Sequence, residues 1–335
     1  MTDHFAASGQ SPAKVAIVGA AHVHTGNFVR TLAALQTEGA AEVVAVYDHD
    51  AARAQKAADA LGTTATTDLE VVLRSAARAA IVGAETNRHM SLVPALVEAG
   101  IGVFVEKPLA AATADAKALA ATIDAAGVPF HTGHFYRQVP AIRAIKAALD
   151  SGALGDLRAL TFHVSHDGLA RDIFHGFEWL KTPEKAGVLA FGDLGLHAID
   201  LANWLAGPLT VVSAEIDGPD HFGTGHLTGA SGAQIKIVAG WVPADPPYIL
   251  HAQGTKGAAT VLDDQAFFER DGIRTAIEHT RKPTAGDGPA TLVAALRGQP
   301  AELVTTAEAV SSITVMNALY AAAGRPISPF GATPQ

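Results

Sequence analysis

Cysteine is absent from all 335 residues, which excludes disulfides, thiolate metal centres and cysteine nucleophiles and fits a reducing compartment. Positive charge is scarce. Lysine and arginine number 24 against 33 acidic residues, a net charge of −9, and there is no long basic run, so nucleic acid is not an expected partner. No uninterrupted apolar run approaches the roughly 18 residues that a membrane-crossing helix needs, so no membrane partner is expected. Residues 1–13 are small and polar, with no apolar h-region and no twin arginine, and read as a disordered tail rather than a signal peptide. With the missing cysteines, this makes a cytoplasmic location the expectation. What the chain does have is 49% hydrophobic residues against 17% charged, enough to bury the cores of two ordinary domains.

The rhythm of the chain changes near its middle. Continuous apolar runs at 14–20, 42–48, 79–85, 102–108 and 129–134 alternate with helical patterns at 25–37, 51–61, 68–76, 88–99 and 113–126. Runs apolar at every position suit strands buried on both faces of a parallel sheet. Asp48 or Asp50, Asp68 and Thr113 are candidate N-caps, and Gly100 and Gly127 stand just past helix ends. After a helix at 140–151 the pattern turns to strands at 157–166, 209–217, 233–241, 248–254 and 257–263, interrupted by the helical run "FGDLGLHAIDLANWLAG". The expected fold is α/β: an N-terminal doubly wound Rossmann sheet over 14–135, then an α+β substrate domain over 136–304 with a large, open-faced, mainly antiparallel sheet. A helical stretch at 305–324 would pack back on the first domain, within a last segment of 305–335.

The stretch "VAIVGAAHVHTG" (15–26) is a strand ending in glycine and leading into a helix. Its glycine fingerprint is worn, with Gly19, Ala21 and His24 at the three glycine positions of G-x-G-x-x-G. A helix N-terminus here would offer amides and a positive dipole end to a pyrophosphate. "HVH" admits a second reading as a metal-binding pair at a strand end. Asp48 ends the second strand, where an acid accepts from both ribose hydroxyls of NAD and repels the 2′-phosphate of NADP; the plainer alternative is that it only caps the next helix. Arg53 is expected on the solvent face of that helix.

"VFVEKPLA" (103–110) places a lysine at the carboxyl edge of the sheet, where such folds bind ligands. With this stretch the sequence resembles the Gfo/Idh/MocA oxidoreductase family, which includes glucose–fructose oxidoreductase and inositol dehydrogenase. "ETNRHMSLVPALVEAGIGVFVEKPLA" (85–110), "GHFYRQVPAIRAIKAALDSGALGDLRAL" (133–160) and "GVLAFGDLGLHAIDLANWL" (187–205) resemble three of its motifs in order. On a helix, Asp193, His197 and Asp200 share one face beside an apolar stripe. A carboxylate one turn from an imidazole can fix the ring and tune its basicity; an N-cap aspartate with a surface histidine is the plainer alternative.

The resemblance implies an NAD(P)-dependent oxidoreductase, with NAD favoured over NADP, acting on a secondary hydroxyl of a sugar, inositol or related polyol. His197 would take the proton, Lys107 polarise the oxygen and Asp193 orient the substrate, with Asp200 structural. Cofactor contacts would come from Gly19, Ala20, Ala21, His22, Val23, His24, Asp48, Glu85, Asn87, His89, Glu106 and Lys107. No metal is expected, the Lys107–Pro108 bond is expected to be cis, and a homodimer or homotetramer through the second-domain sheet is expected.

His22 and His24 depart from the family's small residues, and "GAETN" (83–87) replaces its commoner T-P-x. A redox-assisted glycoside cleaver of the same family, an H-x-H metal hydrolase and a non-catalytic nucleotide-binding regulator are the alternatives. Trp179, Trp204, Trp241, Phe174 and Phe177 are candidates for stacking on a sugar, and the insertion 166–180 is expected to shape the pocket.

Overall fold

The computed structural model describes residues 11–243, 248–278 and 284–330. Most of the expected N-terminal tail lies outside them, and Ala13 already begins the first strand. Strands β1 (Ala13–Ala20), β2 (Ala41–Tyr47), β3 (Ala65–Thr66), β4 (Ala79–Gly83), β5 (Gly102–Val105) and β6 (Phe130–Thr132) form one parallel sheet in the order β3-β2-β1-β4-β5-β6. β4 and β5 are buried at every position and β1 at all but one, as continuous apolar runs between two helical layers require. The helices are α1 (Thr25–Thr37), α2 (Ala51–Leu61), α3 (Leu69–Leu73), α4 (His89–Glu98) and α5 (Thr113–Ala126). Asp50 caps α2 and Asp68 caps α3 through their side chains, but Thr113 is the first residue of α5 rather than its cap.

Helix α6 (Pro140–Asp150) leads to β7 (Leu157–Ser165), the short α7 (Pro183–Ala186) and α8 (Ala190–Ala206). Strands β8 (Leu209–Ile216), β9 (Phe222–Gly229), β10 (Gln234–Gly240), β11 (Tyr248–Gly254), β12 (Ala258–Val261), β13 (Ala266–Arg270) and β14 (Ile273–Ala276) join β7 in an eight-stranded sheet. Only β7 and β10 pair in parallel. One face is covered by α8 and α10 (Thr306–Ala322): Gly223 and Gly225 of β9 lie so close to Phe191 and Leu319 that a Cβ would come within 2.6 and 2.8 Å of them. The opposite face carries exposed His226, Gln234 and Lys236.

Residues 287–296, expected within the second domain, form α9 (Asp287–Leu296), which joins the first. Its Leu292, Val293 and Leu296 share a core with Ile17, Phe28, Leu32 and Phe104. α10 spans both domains, packing on α8 and α5, and Asn317 bonds the N–H of Thr113 and the carbonyl of Ala111.

Candidate active site

Strand order reverses between β1 and β4, and a crevice opens beyond the carboxyl ends of strands at such a point. Gly19, the last residue but one of β1, has φ of 85°, and a Cβ there would lie 2.5 Å from Ala84, so only glycine permits the approach. The next amides bond to the protein itself. Ala21 and His22 donate to the Gly83 carbonyl at 3.0 and 2.9 Å, Ala20 to Asp48 Oδ2 at 2.7 Å, and His24 to His22 Nδ1 at 3.1 Å. The N–H groups of Ala20, Ala21, His22 and His24, expected to be free, are therefore engaged, and the helix begins only at Thr25.

Asp48 is buried and does not present an open carboxylate. Besides Ala20 it accepts from the Asp50 N–H at 2.8 Å and from Arg53 Nη2 at 2.9 Å. Arg53 also reaches Glu85 Oε1 at 3.2 Å. This corrects its expected place on the solvent face: two buried carboxylates, one at the end of β2 and one just past β4, draw the guanidinium inward between them.

Other expected cofactor residues fall into two groups. His89 is buried with Nδ1 3.1 Å from the Leu109 carbonyl, tying the start of α4 to the loop after β5. Val23 is half-buried against the core. In contrast, Asn87 Oδ1, Glu85 Oε2, Glu106 Oε2 and His89 Nε2, with the neighbouring Thr25 Oγ1, are buried without a hydrogen-bond partner, while His24 Nδ1 lies 3.2 Å from Glu106 Oε1. Gly133 makes room for Glu106, since a Cβ would lie 2.8 Å from Oε1. Buried polar atoms are normally paired, so these orphaned groups fit a polar ligand such as a dinucleotide. Candidate ligand atoms of His22, His24 and Glu106 lie within 4.8 Å of one another. His22, however, already spends its Nδ1 lone pair on the His24 N–H, which leaves the proton on Nε2.

The Lys107–Pro108 bond is cis, as expected. Lys107 is buried, its Nζ bonded to Asp193 Oδ1 and, at 3.3 Å, to the Asp193 carbonyl. Asp193 stands in the first turn of α8 and takes the indole N–H of Trp241 on Oδ2 at 2.8 Å. Burial pushes the Asp193 carboxyl up, but the Lys107 charge and the hydrogen bonds from Lys107 and Trp241 outweigh it, and the net shift is downward. The expected hold of Asp193 on the His197 ring is not found, because the carboxylate is turned to Lys107 and Trp241. His197 instead sits among the rings of Phe135, Tyr136 and His134, at 4.8, 5.0 and 6.4 Å. Burial first, then the Lys107 charge, holds its pKa well below the usual histidine value. The ring is neutral near pH 7 and its lone pair is available. Asp200 is structural: Arg137 grips it bidentately at 2.8 and 2.7 Å and reaches Glu308 at 2.6 Å.

The aromatic residues suggested for sugar stacking mostly serve elsewhere. Trp241, Phe174 and Trp179 are buried, Phe177 packs half-buried against the core, and Trp204 lies beneath Arg137 and Lys146. Trp179 donates to the Ala21 carbonyl at 2.8 Å. His134, Phe135 and Tyr136, the walls of the histidine pocket, are not among the residues expected at the site, although they open the stretch "GHFYRQVPAIRAIKAALDSGALGDLRAL" that carries the second motif resemblance.

A doubly wound sheet with a polar crevice at its switch point, met there by a second-domain helix bearing Asp193 and His197, is the architecture of the two-domain nucleotide-dependent oxidoreductases. A family model described as an oxidoreductase family with an NAD-binding Rossmann fold matches residues 13–134, and the GFO/IDH/MocA C-terminal domain matches residues 142–260. The chain belongs to the Gfo/Idh/MocA family. It is 31% identical over 252 residues to a D-apiose dehydrogenase of Paraburkholderia graminis, covering 70% of this chain and 65% of that one. A myo-inositol dehydrogenase of Streptomyces leeuwenhoekii is 35% identical over 162 residues, 48% of this chain and 47% of its own. These matches thus span about half to two thirds of the relatives' lengths. Among solved structures, an inositol dehydrogenase homologue of Azotobacter vinelandii complexed with NAD+ superposes with a TM-score of 0.81 at 18% identity, covering 96% of this chain and 99% of that one. At that identity the likeness shows the fold.

Proposed function

We propose that the protein oxidises a secondary hydroxyl of a sugar, inositol or related polyol with NAD. The observation that carries this is the Lys107–Asp193 ion pair at the mouth of the Rossmann sheet, beside a His197 ring held neutral. Glu85, Asn87 and Glu106, with the loop from Gly19 to His24, would hold the nucleotide, whose nicotinamide supplies hydride acceptance when bound. His197 takes the hydroxyl proton. Lys107 stabilises the developing alkoxide with the N–H that its aspartate leaves over. Each Asp193 oxygen already accepts one protein donor, so Asp193 acts on Lys107 rather than as the main orienter of substrate. The aromatic walls around His197 exclude water from that proton transfer.

Residues 14–135 serve the nucleotide on this reading, while the sheet from 157 to 276 supports the substrate. Pairing of two chains through the open sheet face, which no helix covers among the described residues, fits the exposed side chains there; sedimentation analysis tests it. No helix among the described residues is long and apolar enough to cross a membrane, and a cytoplasmic place accords with the absent cysteine. The activity test is NADH formation across a panel of polyols and sugars including D-apiose and myo-inositol. Absence of turnover on every member, with NAD bound, would remove the dehydrogenase reading.

A further inference from the structure

We infer that Trp241 is a positioning residue, holding the Asp193 carboxylate and through it the Lys107 ammonium in place for the reacting hydroxyl. The inference rests on the catalytic reading above. Trp241 follows directly on β10, and its backbone N–H is fixed to the His221 carbonyl at 2.9 Å. The side chain is 1% exposed, and its one polar atom, Nε1, donates to Asp193 Oδ2 at 2.8 Å. Phe174, from the insertion ahead of α8, packs on the indole with ring centroids 4.3 Å apart. The indole therefore has no room to turn away.

The division of Asp193 is what makes this matter. Oδ1 serves Lys107 and Oδ2 serves Trp241. With both oxygens assigned, the carboxylate plane is set, and so is the direction from which it holds Nζ. Removing the indole donor frees Oδ2 to rotate toward Lys107, drawing the ammonium away from substrate. An indole suits this place chemically. It donates and cannot accept, so a substrate hydroxyl cannot reverse its role, and it carries no charge to compete with Lys107 for the carboxylate. The titratable groups around Asp193 are Lys107, His24, His166 and the Tyr136 hydroxyl. Trp241 is the donor that cannot titrate, and it meets Oδ2.

The test is Trp241→Phe in the full chain, which keeps an aromatic ring and deletes the N–H. Turnover should fall about ten- to hundred-fold, the worth of a hydrogen bond to a charged group, with the KM for NAD unchanged. The acid limb of the kcat/KM profile should move to higher pH, because burial then raises the Asp193 carboxyl with less opposition, a readout that simple loosening of the core does not give. In an Asp193→Asn background the same change should add little further loss. Normal turnover with an unmoved acid limb, or full additivity with Asp193→Asn, overturns the inference. Should Trp241→Phe not fold, Phe174→Leu loosens the indole from outside and is judged by the same acid limb. Lys107→Ala, run alongside, separates the two claims: activity retained there removes the catalytic reading itself, whereas its loss with Trp241→Phe unaffected removes only the role of Trp241.

Discussion

The indole N–H of Trp179 meets the carbonyl oxygen of Ala21 at 2.8 Å, joining residues 158 apart in sequence. One belongs to the stretch ahead of α8 and the other to the loop after β1. The edge of the indole also faces the His22 ring, with centroids 5.7 Å apart. The stretch ahead of α8 thus contacts the loop between β1 and α1 from outside. Trp179→Phe keeps the ring and leaves a buried carbonyl unpaired. We expect NAD binding to weaken about three- to tenfold, the net worth of one neutral hydrogen bond, with turnover at saturating NAD nearly unchanged. Fluorescence titration with NAD checks this, and unchanged affinity would mean that the loop keeps its shape unaided.

His197→Ala should lower turnover by about 10²–10⁴-fold, the usual worth of a positioned acid or base, with NAD affinity preserved. The pH dependence has a definite sign. Burial and the neighbouring Lys107 charge lower the pKa of this ring, so it stays unprotonated down through pH 6.5. The wild-type kcat/KM should show no histidine limb between pH 8 and pH 6.5, with the fall coming further into acid. A limb near pH 7 that vanishes in His197→Ala would show that the ring is less shielded than this.

Much of the scaffold was legible because its signals are local. The buried strands β1 and β4 are apolar nearly throughout, and Asp50 and Asp68 stand where α2 and α3 start. The hairpin of β13 and β14 carried a local signal too, overlooked: Asp271 and Gly272 both have positive φ, as a two-residue turn of this hand requires. Other elements exist only through tertiary contact. β9, "FGTGHLTG", is poor in strand formers, and at Gly223 and Gly225 Phe191 and Leu319 leave no space for a Cβ. Gly288 near the start of α9 likewise lies against Phe104 and hides a helix from propensity. At the site, the resemblance pointed to Lys107, Asp193 and His197. Nothing within its own stretch shows that Trp241 would bind Asp193, a partner 48 residues away, whereas Arg53 had Asp48 five residues before it and only Glu85 at a distance.

Arg53 changes what Asp48 can do for cofactor choice. As Arg53 neutralises Asp48 and Glu85 together, the repulsion that Asp48 alone would offer a 2′-phosphate is partly cancelled. Arg53→Ala should therefore widen the preference for NAD over NADP, and Asp48→Ala should narrow it, each by about tenfold or more for a charge-assisted contact. Titrating both cofactors against each variant decides the matter. An Arg53→Ala protein that binds NADP better than the parent would reverse the assignment.

The last prediction concerns acid. His22, His89, His131, His134 and His197 are all buried, and for each the first cause lowering its pKa is burial itself. His131 is lowered to about 3, and its Nδ1 accepts the Val304 N–H at 3.0 Å, which a protonated ring cannot do. Unfolding returns each ring to an ordinary pKa of about 6.5. Between the two values the unfolded chain binds more protons than the folded one, so stability rises with pH there and is lost as pH falls below about 6.5. Each fully shielded ring adds a slope of about 1.4 kcal/mol per pH unit until its folded pKa is reached. Carboxylates contribute little above pH 5, so the window from 6.5 to 5 belongs mainly to these rings. Urea midpoints of the cofactor-free protein should be nearly level from pH 8 to 7 and drop steeply from 6.5 to 5. His131→Gln keeps an acceptor for Val304 but cannot titrate, and should make that drop shallower. A midpoint indifferent to pH across this window would mean that the imidazoles take up protons as readily folded as unfolded, and the downward shift assigned to the His197 ring would go with it.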